Sequence, residues 1–448
     1  MRIRQICVKK LFGIFDHAIP MNLQDRITII HGPNGFGKTT LLKMLDGVFN
    51  SKNAVLRTTP FERFGIDFDD GSRLEVTKPN GSNKSLRKRP ALEFSFKKPG
   101  AEPQTESLRP LEHEEAVELD FPVGMFDRIP GLQRVGPNEW LYVPDNEVLG
   151  VEDVLERFGQ YLPIPPRFHD RSSEEKWLQD VRSAVPVRFI QTQRLLSPRD
   201  VRRPSRYEAE AVATMPAVQR YSQELARSIQ AKLAEYATLS QSLDRSFPTR
   251  IVTGTAKAEL TPELLTAKLS ELEQKRSRFM EAGLLEREKD SAFEFPGKID
   301  ETKLGVLSVY VKDVEQKLSV LDEMAARIEL LKNIINERFA YKNVTITRDG
   351  GFEFATDSGR PLAPTSLSSG EQHEVVLLYE LLFNIKPNLL VLIDEPEISL
   401  HVAWQDQFLR DLSEMTKLSQ FDAVLATHSP QIISNRWDLT VQLRSPER

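Results

Sequence analysis

Two short motifs that belong to one kind of site stand at opposite ends of this 448-residue chain. Near the start, Gly32-Pro33-Asn34-Gly35-Phe36-Gly37-Lys38-Thr39 is a glycine-rich loop closed by a lysine and a hydroxyl. Near the end, Leu389-Leu390-Val391-Leu392-Ile393 is an unbroken apolar run that stops at Asp394-Glu395. The first is the composition of a phosphate cradle, the second that of a parallel strand buried on both faces with carboxylates at its end. Ligands gather at the carboxyl ends of such strands, so the fold has to bring both ends of the chain to one edge. Whatever lies between them is inserted into an α/β core.

The flanks of the loop fit this reading. Residues 26–31 (Arg-Ile-Thr-Ile-Ile-His) predict a buried strand, and Leu41, Leu42, Met44 and Leu45 predict a helix over 39–45. Strand, Gly-x-x-x-x-Gly-Lys-Thr and helix together are the context the motif needs. Glycines let backbone N–H groups converge on one point, and a helix N-terminus favours an anion there. Gly32, Asn34, Gly35, Gly37, Lys38, Thr39 and Thr40 are therefore the phosphate-binding candidates. Lys38 is placed for the β- and γ-phosphates of ATP and the Thr39 hydroxyl for Mg²⁺. At the other end, Asp394 is the candidate for the Mg²⁺ shell and Glu395 for polarising the attacking water. A second apolar strand, 423–426, ends at Thr427-His428-Ser429-Pro430, which makes His428 a candidate sensor of the γ-phosphate.

Leu367-Ser368-Ser369-Gly370-Glu371-Gln372 precedes a helical pattern carrying Val375, Val376, Leu378, Leu381 and Leu382. An ordinary helix cap accounts for its serines, but not for the whole hexamer followed by the Asp-Glu strand. With the other motifs, this hexamer resembles the signature of ATP-binding-cassette (ABC) ATPases. The run Asp394-Glu395-Pro396-Glu397-Ile398-Ser399-Leu400-His401, then Trp404-Gln405 and Thr427-His428-Ser429-Pro430, is similar to the branch of RecF-like and overcoming-lysogenization-defect (OLD) ATPases. Leu11-Phe12-Gly13-Ile14-Phe15-Asp16-His17 and Arg188-Phe189-Ile190-Gln191-Thr192-Gln193-Arg194-Leu195 look like the stand-alone ATPase subunits of bacterial anti-phage systems of the PARIS or Septu type. The resemblance covers roughly residues 1–50, 185–196 and 362–435.

It implies an ABC-type ATPase head, with ATP and Mg²⁺ as cofactors and ATP sandwiched between two copies. Ser368 and Gly370 would then contact the γ-phosphate held by the opposite copy, with Ser369 and Gln372 further nucleotide-binding candidates. It also implies a glutamine in the Mg²⁺ shell, with Gln193 the first candidate and Gln191 the second. The chain departs from the transporter pattern at His401, where an Asp is common, and this leaves the role of residues 397–401 open.

Between the motifs, apolar runs at 63–68, 74–76 and 92–96, separated by Gly, Pro and Asn, predict an antiparallel β lobe. Arg87-Lys88-Arg89 and the acidic stretch 112–120 read as solvated faces. Arg194, Arg199, Arg202, Arg203 and Arg206 fit either a phosphate backbone or acidic partner, or salt bridges within a loop. Apolar residues recur every three or four positions from Val218 to Phe247 and from Leu307 to Phe339. These predict two long amphipathic helices with a narrow seam. Pro248, Gly254, Pro262, Gly283, Pro296 and Gly297 break the chain between them around a shorter helix near 262–281. Either a stubby antiparallel arm or a compact helical lobe satisfies this pattern.

The expected organisation is a first half-head with β lobe (1–200), a helical or short coiled-coil insertion (201–340) and a second half-head (341–448). At 28% charged and 40% hydrophobic residues, with a net charge of −5, the chain is no basic nucleic-acid coat. One cysteine, Cys7, excludes an internal disulfide, and no apolar run approaches the ~20 residues of a membrane span. A cytoplasmic protein with no membrane association is expected. Only eighteen residues follow Pro430, which leaves no room for the nuclease domain of OLD-type enzymes. The resulting expectation is an ATPase acting through a separate effector protein, as at least a homodimer, in anti-phage defence. A RecF- or SMC-like DNA-binding ATPase of repair or maintenance is the competing reading, with nucleic acid as its partner. An energy subunit of a membrane transporter does not suit the helical insertion.

Overall fold

The β-branched run before the glycine loop forms the strand Ile27–His31, which lies inside a five-stranded parallel sheet. Across that sheet the order is Val187–Gln191, Leu390–Asp394, Asp422–Thr427, Ile27–His31, Thr440–Gln442. In this computed structural model the described residues are 1–79, 91–108, 123–129, 131–137, 139–143, 147–151, 154, 158, 175–191, 196–197, 215–252, 261–286, 301–398 and 400–445. Among them no helix is long and apolar enough to cross a membrane. The chain is an α/β protein that divides into two compact units, Met1–Met215 with Ile385–Arg448, and Pro216–Asn384.

In the first unit, Leu390–Ile393 and Ala423–Thr427 are buried throughout, as strands covered on both faces must be. The register aligns Gln191 with Asp394, Asp394 with Ala426, and Thr427 with His31. A six-stranded antiparallel sheet carries the predicted β lobe. Its order is Phe15–Pro20, Ile3–Leu11, Arg63–Phe68, Arg73–Thr77, Leu92–Lys97, Gln104–Leu108. Alternating burial along Phe15–Pro20 and Leu92–Lys97 marks a sheet with one dry face. The helix Lys38–Phe49 buries Leu41, Leu42, Met44, Leu45 and Val48 completely in the same core. Each of these side chains contributes about 1.5–3 kcal/mol by burial, so the phosphate loop is tethered by its helix. Three short strands, Leu132–Gly136, Glu139–Tyr142 and Glu147–Gly150, form a separate sheet around fully buried Trp140, whose indole donates to Asp127 at 2.8 Å.

The second unit holds three helices, Ala217–Val252, Pro262–Glu281 and Glu301–Arg338. The two long ones run antiparallel, since Arg250 grips Asp313 at 2.6 and 2.7 Å while Asp244 takes Lys317 at 2.6 Å. The shorter helix runs parallel to the last: Lys268, Lys275 and Arg278 pair with Glu315, Asp322 and Glu329 in rising order. Exposed pairs of this kind contribute only about 0–1 kcal/mol each and serve mainly to set register. Stability comes from the seam, where Leu318, Leu321, Ile328, Leu331 and Ile335 are at most 1% exposed.

The sequence places a break at Pro248, yet the first helix continues through it to Val252. Proline removes one backbone donor in that turn. One turn on, Arg250 donates to the Leu243 carbonyl at 2.9 Å while holding Asp313 on the neighbouring helix, which fastens this stretch of the helix in place.

The same unit contains the hairpin Lys342–Thr347 and Gly351–Thr356, and the helix Ser369–Phe383 that follows the hexamer. Tyr379 anchors that helix. Its ring stacks on Tyr221 of the first long helix at 4.7 Å and meets Phe352 of the hairpin edge-on at 5.7 Å. Arg338, in the last turn of the long third helix, pairs with Glu374, both side chains being at most 2% exposed.

Breaking such a buried pair strands a charge, at a typical cost of about 3–5 kcal/mol. Arg338→Met is expected to lower the unfolding free energy by that amount in chemical denaturation. Arg338→Met with Glu374→Leu is expected to recover most of it, because no charge is left uncompensated. Equal destabilisation by the single and double changes would show that the pair is not what holds these helices together.

Candidate active site

The loop between Ile27–His31 and Lys38–Phe49 turns on two glycines with left-handed backbone. Gly35 has φ +85° and open space where a Cβ would stand, while at Gly37, φ +90°, a Cβ would lie 2.5 Å from Leu11 Cδ2. Only glycine fits both the angle and the space at position 37. The helix begins at Lys38 with no side-chain cap, so its first N–H groups are available to an anion in the cradle. Lys38 is 5% exposed and its ammonium donates to the carbonyls of Gly32 at 2.7 Å and Pro33 at 3.2 Å. Gly32, Asn34, Thr39 and Thr40 complete the loop, with Asn34 and Gly35 exposed at its rim.

The two motifs are joined by a hydrogen bond from the Thr39 hydroxyl to Asp394 Oδ1 at 3.0 Å. Burial raises the Asp394 carboxyl from 3.8 to about 6; Thr39 opposes the rise, and the neighbouring carboxylates of Glu395 and Glu397 add to it. A carboxylate held this uncomfortably next to a hydroxyl is a donor pair suited to a divalent cation. Among the described residues no group of three or more His, Cys, Asp or Glu is arranged to hold a metal by itself. Thr39 and Asp394 would therefore need a ligand's oxygens to complete a shell.

Glu395 follows directly on the strand with φ +45°, a left-handed conformation costing a non-glycine residue about 1–3 kcal/mol. Its N–H is secured to the Ala426 carbonyl at 2.8 Å, which keeps the side chain at the sheet edge. His428 Nδ1 lies 3.5 Å from Glu395 Oε1 and 3.1 Å from Glu397 Oε1. Asp394, Glu395 and His428 are thus brought together with Lys38 and Thr39, as the motifs predict.

Gln191 ends its strand in register with Asp394. Gln193 and the arginines 194–206 lie outside the described residues, as do Arg87-Lys88-Arg89 and the acidic stretch 112–120.

The hexamer belongs to the second unit. Ser368 caps the helix Ser369–Phe383 in a reciprocal box: its hydroxyl accepts from Glu371 N–H at 3.4 Å, and Glu371 Oε2 accepts from Ser368 N–H at 2.8 Å. Burial pushes the Glu371 carboxyl up, but Lys342 at 2.7 Å and the two Ser368 donors outweigh it and leave it below the usual range. Gln372 donates to the Leu367 carbonyl at 2.7 Å, while Ser368 and Ser369 remain exposed.

Three features were not read from the motifs. Glu397 is nearly inaccessible and accepts from the Thr427 hydroxyl at 2.7 Å. His401 replaces the usual aspartate by capping the helix Val402–Ser419, its Nδ1 accepting from Ala403 N–H at 3.3 Å. His31, at the mouth of the loop, stands edge-on to Trp437, and burial together with the charge of Lys38 lowers its pKa. Glu397 was within reach of sequence reasoning, as a second acid two residues past Glu395. The pairing of His31 with Trp437 carries no local signal.

The raised Asp394 carboxyl has a consequence for stability. Between roughly pH 4 and 6 the folded chain keeps a proton that the unfolded chain has lost. Stability therefore falls as pH rises through this window, and the whole penalty persists above it. Without nucleotide, Asp394→Asn is expected to melt higher than the parent at neutral pH, with the gap closing towards about pH 4. A gap of the same size at both ends of the range would refute this account.

The family model described as "AAA domain, putative AbiEii toxin, Type IV TA system" matches residues 167–434. No curated protein matches. Among solved structures, the Smc head domain with an extended coiled coil bound to the C-terminal domain of ScpA, from Pyrococcus furiosus, is 12% identical, with coverage of 99% of this chain and 94% of that one and a TM-score of 0.33. The SMC head domain from Thermotoga maritima is 12% identical over 97% of this chain and 93% of that one, with a TM-score of 0.34. The SmcHead bound to the C-winged helix domain of ScpA is 9% identical over 97% and 91%, with a TM-score of 0.32. Identities and scores this low say nothing of activity. The family match spans more than half of the chain and takes in Asp394, Glu395 and His428: this protein belongs to that AAA-domain family.

Proposed function

We propose that the protein is a cytoplasmic, ATP-hydrolysing sensor subunit of a bacterial anti-phage system, of the OLD-like branch, acting through a separate effector protein. The observation that carries the ATPase part is the Thr39–Asp394 hydrogen bond, which joins phosphate loop and hydrolysis strand with Glu395 and His428 alongside. In this reading Lys38 leaves the Gly32 and Pro33 carbonyls to hold the β- and γ-phosphates. Thr39 and Asp394, with Gln193 or Gln191, would hold Mg²⁺. When bound, that ion draws negative charge off the phosphate oxygens. Glu395 accepts the proton of the attacking water, and His428 contacts the γ-phosphate.

Ser368, Ser369, Gly370 and Gln372 act on a nucleotide held by a second copy, so the working form is at least a homodimer. Ser368 and Ser369 are exposed, as that role requires. In this scheme residues 1–200 and 341–448 are the halves of an ABC-type head, and 201–340 is its helical insertion. The defence part rests on the family's description as a toxin of a Type IV system and on the resemblance in the motifs. The effector is a nuclease, which ATP turnover frees or activates.

Glu395→Gln is expected to bind ATP normally and to lose about 10²–10⁴-fold in turnover, whereas Lys38→Ala loses binding in a direct titration. Normal turnover by the first, or normal affinity in the second, would remove the ATPase assignment. Mixing Lys38→Ala chains with Ser368→Arg chains tests the shared site. Each mixed dimer contains one intact site, so activity should return. A mixture as inactive as its components would rule out the two-copy arrangement.

A further inference from the structure

Building on that reading of the site, we propose that Glu397 is a positioning residue that fixes the ring of His428 for the γ-phosphate. Glu397 sits on the single turn Pro396–Ile398, directly after the strained Glu395, with its side chain 7% exposed. One oxygen, Oε1, accepts two hydrogen bonds from one loop, from the Thr427 hydroxyl at 2.7 Å and the His428 N–H at 3.0 Å, and lies 3.1 Å from His428 Nδ1. The two hydrogen bonds hold the loop through the Thr427 side chain and the His428 backbone, and the close approach to Nδ1 faces the ring. A carboxylate acting on both fixes the position of the residue and the rotation of its imidazole together.

The chemistry of imidazole makes this specific. A ring nitrogen facing a carboxylate carries the proton, so Glu397 selects the tautomer with hydrogen on Nδ1. Nε2 is then the nitrogen left for a ligand, and His428 is half exposed and open to one. The Glu397 side chain is only 7% exposed, and among the described residues its other oxygen, Oε2, has no hydrogen-bond partner, so its contacts run to the loop that carries the histidine.

Gln405 supplies a second brace. Its amide NH₂ donates to the Glu397 carbonyl at 3.3 Å, while its Oε1 accepts from the Ser429 hydroxyl at 3.1 Å. The segment after the catalytic glutamate thus grips the switch loop on both sides of His428. Charge-assisted hydrogen bonds to a buried carboxylate are the stronger kind, so Glu397 is the main brace and Gln405 the lesser.

The test is ATP turnover by Glu397→Ala and Glu397→Gln, alone and in a His428→Ala background, with affinity for a non-hydrolysable ATP analogue measured for each. Glu397→Ala should lose about 10- to 100-fold in kcat, with analogue affinity within about 2-fold of the parent. Glu397→Gln keeps an acceptor for Thr427 and the His428 N–H, and should recover part of the loss. In the His428→Ala background the alanine change should cost less than about 2-fold more, because its route of action is already gone. Additive losses, a kcat unaffected by Glu397→Ala, or a fall in affinity that accounts for the whole effect would each overturn the proposal. Nitrogen NMR of the imidazole gives a readout independent of activity: the parent should show hydrogen on Nδ1 of His428, and Glu397→Gln should weaken that preference. The opposite tautomer in the parent also overturns it, including where the alanine variant fails to fold. Glu395→Gln and Lys38→Ala run alongside. If they leave turnover intact, the ATPase reading falls and takes this proposal with it; if they abolish turnover, a negative result at Glu397 overturns the proposal alone.

Discussion

The parallel register of the central sheet is the constraint on which the site depends. Asp394 pairs with Gln191 on one side and Ala426 on the other, and Thr427 pairs with His31. Four segments far apart in the chain therefore end at one edge, within the reach of a hydrogen bond. A slip of one residue in the Leu390–Asp394 strand would turn Asp394 to the opposite face and separate it from Thr39. The buried side chains of Val391, Leu392, Ile393, Val424 and Leu425 make that slip prohibitive, because it would reseat a fully packed core.

Around this edge, unfavourable local states are concentrated and paid for by the packing behind them. Glu395 has a left-handed backbone, Asp394 carries a carboxyl that burial disfavours, and Lys38 is enclosed with its ammonium on the Gly32 and Pro33 carbonyls. None of these residues would choose its state in isolation. Their neighbours in the sheet and in the helix Lys38–Phe49 are buried aliphatic side chains that tolerate no rearrangement.

Much of this was legible in the residues. Period-two and continuous apolar runs mark the strands, and steps of three and four mark the long helices, because burial imposes those periods directly. The phosphate loop and the Asp394-Glu395 pair were legible because their chemistry tolerates few residue types. Pro248 was misleading: its cost to a helix is real, but the helix is fastened to its neighbour just beyond it by Arg250 and Asp313. The acid at 397 was visible from its spacing to Glu395, but its role, like that of His401, was not. A buried acid that braces a loop thirty residues away, and a histidine that caps a helix, are defined by tertiary neighbours rather than by spacing.

The pairing of Arg338 with Glu374 has a mechanical meaning. The helix Glu301–Arg338 has 38 residues, so at 1.5 Å per residue it is a rod of about 57 Å gripping the signature helix by its last turn. A tilt of about 2° around that grip sweeps the far end through about 2 Å, while the gripped end barely translates. Read the other way, a broad excursion of the distant tip is geared down at Glu374 into a small, forceful displacement. The same rod is thus an indicator needle for events at the signature and a torque arm for anything that takes hold of its tip.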